Sequence, residues 1–214
     1  MFTRDQTRRG ARVRVWAKPL ILTVAVLLAA CSDTALEGDG DLVTESRTVS
    51  NFNAVDATNG VHVILTIDPT VNGDVTLAVT TDSNLQDFLT TDVTGNTLSV
   101  SADRTGGIAA DQGFEVAGTV ATLVDVSTDD GALAVLTGAG DAVSLSANNG
   151  ADINAEGFAV TTVAVTADNG AQVTVCATGT VAGGVMNGAD LLVRCDGTIS
   201  GVSTSNGGTA STES

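Results

Sequence analysis

The sequence predicts an all-β chain, a parallel β-solenoid with rungs of about 20 residues preceded by an export signal. Three observations predict it. Gly-Ala pairs recur at Gly131-Ala132, Gly150-Ala151, Gly170-Ala171 and Gly188-Ala189, in steps of 19, 20 and 18 residues. Asn or Asp precedes each pair, as Asp129-Asp130, Asn148-Asn149, Asp168-Asn169 and Asn187. Alternating apolar residues sit at fixed offsets before the first three glycines: Val124 and Val126, Val143 and Leu145, Val163 and Val165. Before the fourth they are Val181 and Gly183, so the repeat weakens there. A rung of two short strands and a polar turn leaves its apolar face uncovered. Stacking at about 4.8 Å buries that face and piles equal turn positions into Asn and Asp ladders.

The elements follow in order. Residues 1–30 read as a lipoprotein signal peptide. Arg4, Arg8, Arg9, Arg12, Arg14 and Lys18 precede an apolar run over residues 20–30 that ends in Leu28, Ala29 and Ala30, with Cys31 next. That run resembles a bacterial lipobox and is far shorter than the roughly 20 apolar residues a spanning helix needs. Cys31 is therefore the expected lipidation site. Ser32 after it resembles the sorting pattern for an outer membrane, and Arg8-Arg9 leaves the export route open between the general and twin-arginine systems. Residues 31–46 read as an acidic tether. In residues 61–67 (VHVILTI), Val61, Val63, Leu65 and Ile67 share one strand face. Asp68-Pro69 and Asn72-Gly73-Asp74 mark a turn, and residues 75–81 (VTLAVTT) read as the returning strand of a hairpin. Residues 84–89 read as a helical turn or an irregular crossing, residues 98–102 as a strand, and the repeats run to residue 202. Residues 203–214, whose only apolar residue is Ala210, read as a flexible tail.

Charge excludes one class of partner. Six of the nine Lys and Arg and one of the 25 acids lie in residues 1–30, so the remainder carries 24 acids against three bases, a formal charge of −21. Such a surface repels phosphate backbones, which excludes nucleic acid and leaves the lipid on Cys31 as the grip on a membrane. The core has to be built from small aliphatics. Past residue 30 the aromatic residues are Phe52, Phe88, Phe114 and Phe158, and the chain has no Tyr.

Arg47-Thr48-Val49 with Phe52, Val61-His62-Val63, residues 84–89 (NLQDFL), residues 95–100 (GNTLSV) and the later Gly turns resemble the auto-transporter adhesin head domain family of the GIN type. The likeness spans residues 47 to about 200 and rests on the order of the motifs. It implies a right-handed parallel β-solenoid, often exported or lipid-anchored, and no catalytic residue.

The residues that could carry chemistry are few. His62 is the one histidine, set opposite the main apolar face of its strand, which reads as a surface residue and rules out a multi-His metal site. Cys176 and Cys195 are 19 residues apart, one rung, where facing parallel strands bring Cα atoms into disulfide range. Their turn offsets of six and seven place them on opposite faces unless a bulge intervenes, so a bridge and two buried thiols both stay open. Asp129, Asp130 and Asp168 invite a hard cation, yet residues 137–143 (TGAGDAV) miss the calcium-binding nonapeptide pattern. The expectation is no cofactor, no dedicated metal site, and calcium binding that is weak if it occurs. Polysaccharide enzymes on such folds need paired carboxylates in a cleft and aromatic platforms, and neither pattern is present. The chain is read as a non-enzyme.

What remains is a lipid-anchored envelope protein whose repeats present a surface for adhesion or for a glycan or protein partner. The ligand-facing turn ladder would be Asp129, Asp130, Asn148, Asn149, Asp168, Asn169 and Asn187. The alternatives are a structural or stress-related envelope component without a ligand, and a degenerate polysaccharide-acting enzyme. Bare ends would let copies associate.

Overall fold

A computed structural model of the chain describes residues 35–103, 107–110 and 113–213. The expected signal peptide and its Cys31 lie outside the described residues. The first half holds β1 (Leu36–Glu37), β2 (Leu42–Val49), β3 (Ala54–Thr58), β4 (Val61–Ile67), β5 (Val75–Asp82), a 3-10 helix (Ser83–Phe88), β6 (Leu89–Thr94), β7 (Thr97–Ala102), β8 (Ile108–Ala109) and β9 (Phe114–Val120). The second half holds β10 (Asp125–Thr128), β11 (Leu133–Ala147), β12 (Asp152–Ala167), β13 (Gln172–Val185), β14 (Asp190–Arg194), β15 (Thr198–Thr204) and β16 (Thr209–Thr212).

The predicted right-handed parallel β-solenoid is corrected by the pairing. Fourteen strands form one barrel-like sheet of mixed direction. Within it β2–β5, β5–β9 and β6–β7 are antiparallel. The physical reason lies in the connections. Gly95 (φ 63°) and Asn96 join β6 to β7 by a two-residue loop, which permits only an antiparallel return. The hairpin read over residues 61–81 is corrected too. β4 does not pair with β5, because β9 lies between them, parallel to β4 and antiparallel to β5.

The 18–20-residue step survives as register. Val126 faces Leu145 and Leu145 faces Val165, all parallel. Ala134, Ile153, Val173, Leu191 and Ala210 form a second such row. Strands β11, β12 and β13 each bend at a corner, so their first segments belong to one arm of the sheet and their second segments to the other. The first arm runs β2, β5, β9, β4, β11, β12, β13, β14, β16; the second runs β6, β7, β3, β10, β11, β12, β13, β15. One apolar core lies between the arms. Alternation places Val61, Val63, Leu65 and Ile67 in it, and each fully buried Val or Leu contributes about 1.5–3 kcal/mol.

One end of this core is capped. The 3-10 helix lays Leu85 and Gln86 over it, both buried. Gln86 Nε2 donates to the carbonyls of Val43 (3.0 Å) and Val79 (3.2 Å). Arg47 on β2 donates to the carbonyl of Leu89, the first residue of β6, and to Gln86 O (2.9 Å) and Oε1 (3.1 Å). Two segments read as irregular are ordered here. The expected tether contains part of β2, paired along its length with β5, and the expected tail contains β16, paired with β14. Backbone hydrogen bonding to β5 and β14 orders these two strands.

Candidate functional site

Five equivalent turns stack where the first arm meets the second. In each, the N–H of the fourth residue donates to the carbonyl of the first: Ala132 to Asp129 (3.1 Å), Ala151 to Asn148 (3.0 Å), Ala171 to Asp168 (3.2 Å), Ala189 to Met186 (3.0 Å) and Gly208 to Ser205 (2.9 Å). The second residues, Asp130, Asn149, Asn169, Asn187 and Asn206, have φ between 48° and 52°. Glycine follows each of them with φ also positive, as at Gly150 (69°), which makes these type I′ turns. Asn and Asp tolerate the left-handed region better than other residues with a Cβ, and Gly needs no tolerance, so the Asn-Gly repeat encodes the turn directly.

The turn side chains bond from course to course. Asn149 Nδ2 donates to Asp129 Oδ1 (2.8 Å) and Asn169 Nδ2 to Asn148 Oδ1 (2.9 Å). Asn187 Nδ2 donates to Asp168 Oδ1 (2.6 Å) and Asn206 Nδ2 to Asn187 Oδ1 (3.0 Å). Each of these four amides therefore donates toward the preceding turn, and their dipoles point one way along an exposed column. The seven residues read as a ladder come together in it.

Two members escaped the sequence reading. Asn59 (φ 61°) and Gly60 extend the column: Gly60 N donates to Asp130 O (3.0 Å) and Asn59 Nδ2 to Ser101 Oγ (3.0 Å). Asn206 extends it the other way. The signal for both was an Asn-Gly pair, hidden at Asn59 by the 71 residues before Asp130 and at Asn206 by its polar surroundings.

The remaining candidates lie apart. His62 is half-exposed on the outer face of the first arm, with Nδ1 3.9 Å from Glu115 Oε2. Further along that outer row, burial raises the Asp152 carboxyl above the usual carboxylate range. Cys176 and Cys195 are bonded, with Cα atoms 5.2 Å apart. Cys176 pairs in register with Arg194, and the left-handed backbone of the next residue, Cys195 (φ 63°), swings its sulfur back across the ladder. A link across 19 residues stabilises the fold by about 3 kcal/mol through the entropy of the unfolded chain. Beside it Arg194 bridges Glu156 (3.3 Å) and Glu213 (3.1 Å). Among the described residues no three His, Cys, Asp or Glu side chains gather as a metal site.

The surface depressions are open grooves. One, of about 520 Å³, has Ile64, Ala78 and Ala117 as its floor, with Thr66, Thr76 and Thr119 beside them. Another, of about 500 Å³, lies at the corner against Ile67, Pro69, Leu123 and Val124, with Asp141 at its edge.

No family model matches the chain, and no curated protein matches it. Solved structures do. A "putative adhesin" from Bacteroides fragilis is 14% identical, with 83% of this chain and 99% of that one covered, at a TM-score of 0.53. A "putative adhesin" from Parabacteroides merdae and a "putative lipid binding protein" from Parabacteroides distasonis are each 14% identical, with 85% of this chain and 100% of theirs covered, at TM-scores of 0.46 and 0.43. The first is a likeness of fold alone.

Proposed function

We propose that this protein is an exported, lipid-anchored component of the bacterial cell envelope, of the GIN type, that presents its turn column and flat strand faces for adhesion. The observation that carries the reading is the column itself. It repeats exposed amide and carboxylate groups at the strand spacing of about 4.8 Å, a fixed step that suits an extended glycan or polypeptide better than a small molecule. Saturable binding of the folded protein to envelope polysaccharide, matrix protein or whole cells is the expected result. Replacing Asn149, Asn169 and Asn187 together by Gly keeps the left-handed backbone and removes the amides; it is expected to weaken that binding at least about tenfold with little change in melting temperature. No saturable binding by the folded protein would overturn the adhesion reading.

One observation favours a second reading. The amides of Asn149, Asn169, Asn187 and Asn206 already donate within the column, so the ladder could serve only to clip successive turns together in a structural envelope component.

The anchor has its own test. Cys31→Ser is expected to move the protein from the membrane pellet to the soluble fraction, because a chain this acidic has no electrostatic hold on anionic lipid. Retention of the variant in the pellet would contradict a lipid at Cys31.

A further inference from the structure

The two ends of the core differ. The end closed by the 3-10 helix has edge strands β2 and β6, which carry Glu45, Arg47 and Asp92 and are tied together through Arg47 and Gln86. The other end has edge strands β15 and β16. Among the described residues neither has a partner on its outer side. Their sequences, TISGVST and TAST, contain no charge and no proline, the usual protections of an exposed edge. Above the last fully buried layer, Leu191 and Val193, the inward residues Ile199, Val202 and Ala210 are only partly covered.

We infer that this end is a docking surface for a second copy of the same chain. Charge selects the occupant. Any copy brings the same excess of carboxylates, so copies can meet closely only where none is left unneutralised: β15 and β16 carry no charge, and Glu213, which follows β16, is paired with Arg194 (3.1 Å). An edge strand is its own antiparallel complement. A two-fold axis normal to both arms sets β15 against β15 and β16 against β16 of the second copy, pairing Ser and Thr across the join. That contact covers Ile199, Val202 and Ala210 and extends both arms through the dimer. It also stops there: the capped end offers no matching edge, so the assembly closes at two copies rather than growing into a fibre.

The experiment is sedimentation of the full-length chain in detergent micelles up to about 100 μM. A reversible monomer–dimer equilibrium is expected. The double variant Ser200→Lys/Ser211→Lys, at exposed positions on the two edges, is expected to weaken it at least about tenfold by bringing like charges together. Asp92→Lys on β6 makes the same change in net charge at the capped end and is expected to leave it unchanged. A monomer throughout, growth beyond two copies, or a dimer indifferent to the double variant would each overturn the inference.

Discussion

Gly183→Ala is expected to destabilise the protein by about 4 kcal/mol, whereas Gly184→Ala next to it should be neutral or stabilising by about 0.5 kcal/mol. Gly183 has φ 140°, a region that residues with a Cβ do not enter without strain of about 1–3 kcal/mol. A Cβ there would also sit inside the contact distance of the Val165 carbonyl oxygen on the neighbouring strand, and that backbone has no room to retreat. The close approach accompanies a bulge. β13 advances from Val181 to Gly183 while β15 advances from Ile199 to Val202. A Cβ on Gly184 meets nothing nearer than Ser203 Oγ at 3.7 Å. Urea denaturation of both variants checks the contrast, read as midpoints at unchanged slope. Equal stabilities would show that the close approach does not exist.

Phe158→Ala is expected to cost about 4 kcal/mol, a fall of roughly 8–16 °C in Tm. Phe158 is fully buried at the corner of β12, where the register with β13 slips between Ala155 and Ala159. The neighbouring course makes room for the ring by having no side chain beneath it. Phe158 pairs with Gly138, and a Cβ on Gly140 would come within 2.9 Å of the ring's Cζ. Removing the ring leaves a void that flanking Val160 and Leu136, already fully buried, cannot fill. A loss below about 1 kcal/mol in a thermal melt would show that the corner is loosely packed.

These two residues mark what the sequence could and could not disclose. The turns at residues 129–132, 148–151 and 168–171 were legible because Asp-Gly and Asn-Gly chemistry is local: the dipeptide itself dictates the left-handed backbone. The step between turns therefore appeared as register. The direction of the first-half strands was not legible, since it depends on which distant strand arrives beside each one. Residues 61–67 and 75–81 have the pattern of a hairpin, and only the insertion of β9, with Phe114 and Val116 buried, separates them. Gly183 looked like decay of the repeat, while in the structure it is required by a backbone approach. Cys195 could not be placed from spacing, because its left-handed φ lies outside strand alternation.

The position of β4 in the sheet also sets a timetable. Its partners are β9 and β11, so Val61 waits for Phe114, and His62 and Ile67 wait for Leu133 and Gly138. At ribosomal speeds of about 5–20 residues per second, the interval between Ile67 and Gly138 lasts roughly 4–14 s. Until Phe114 to Val120 emerge, Val61, Val63, Leu65 and Ile67 have no partner strand on either side, and until Leu133 to Gly138 follow they have one on a single side. The centre of the first arm therefore stays incomplete until about two-thirds of the chain has been made, which would leave it threadable for the export proposed above.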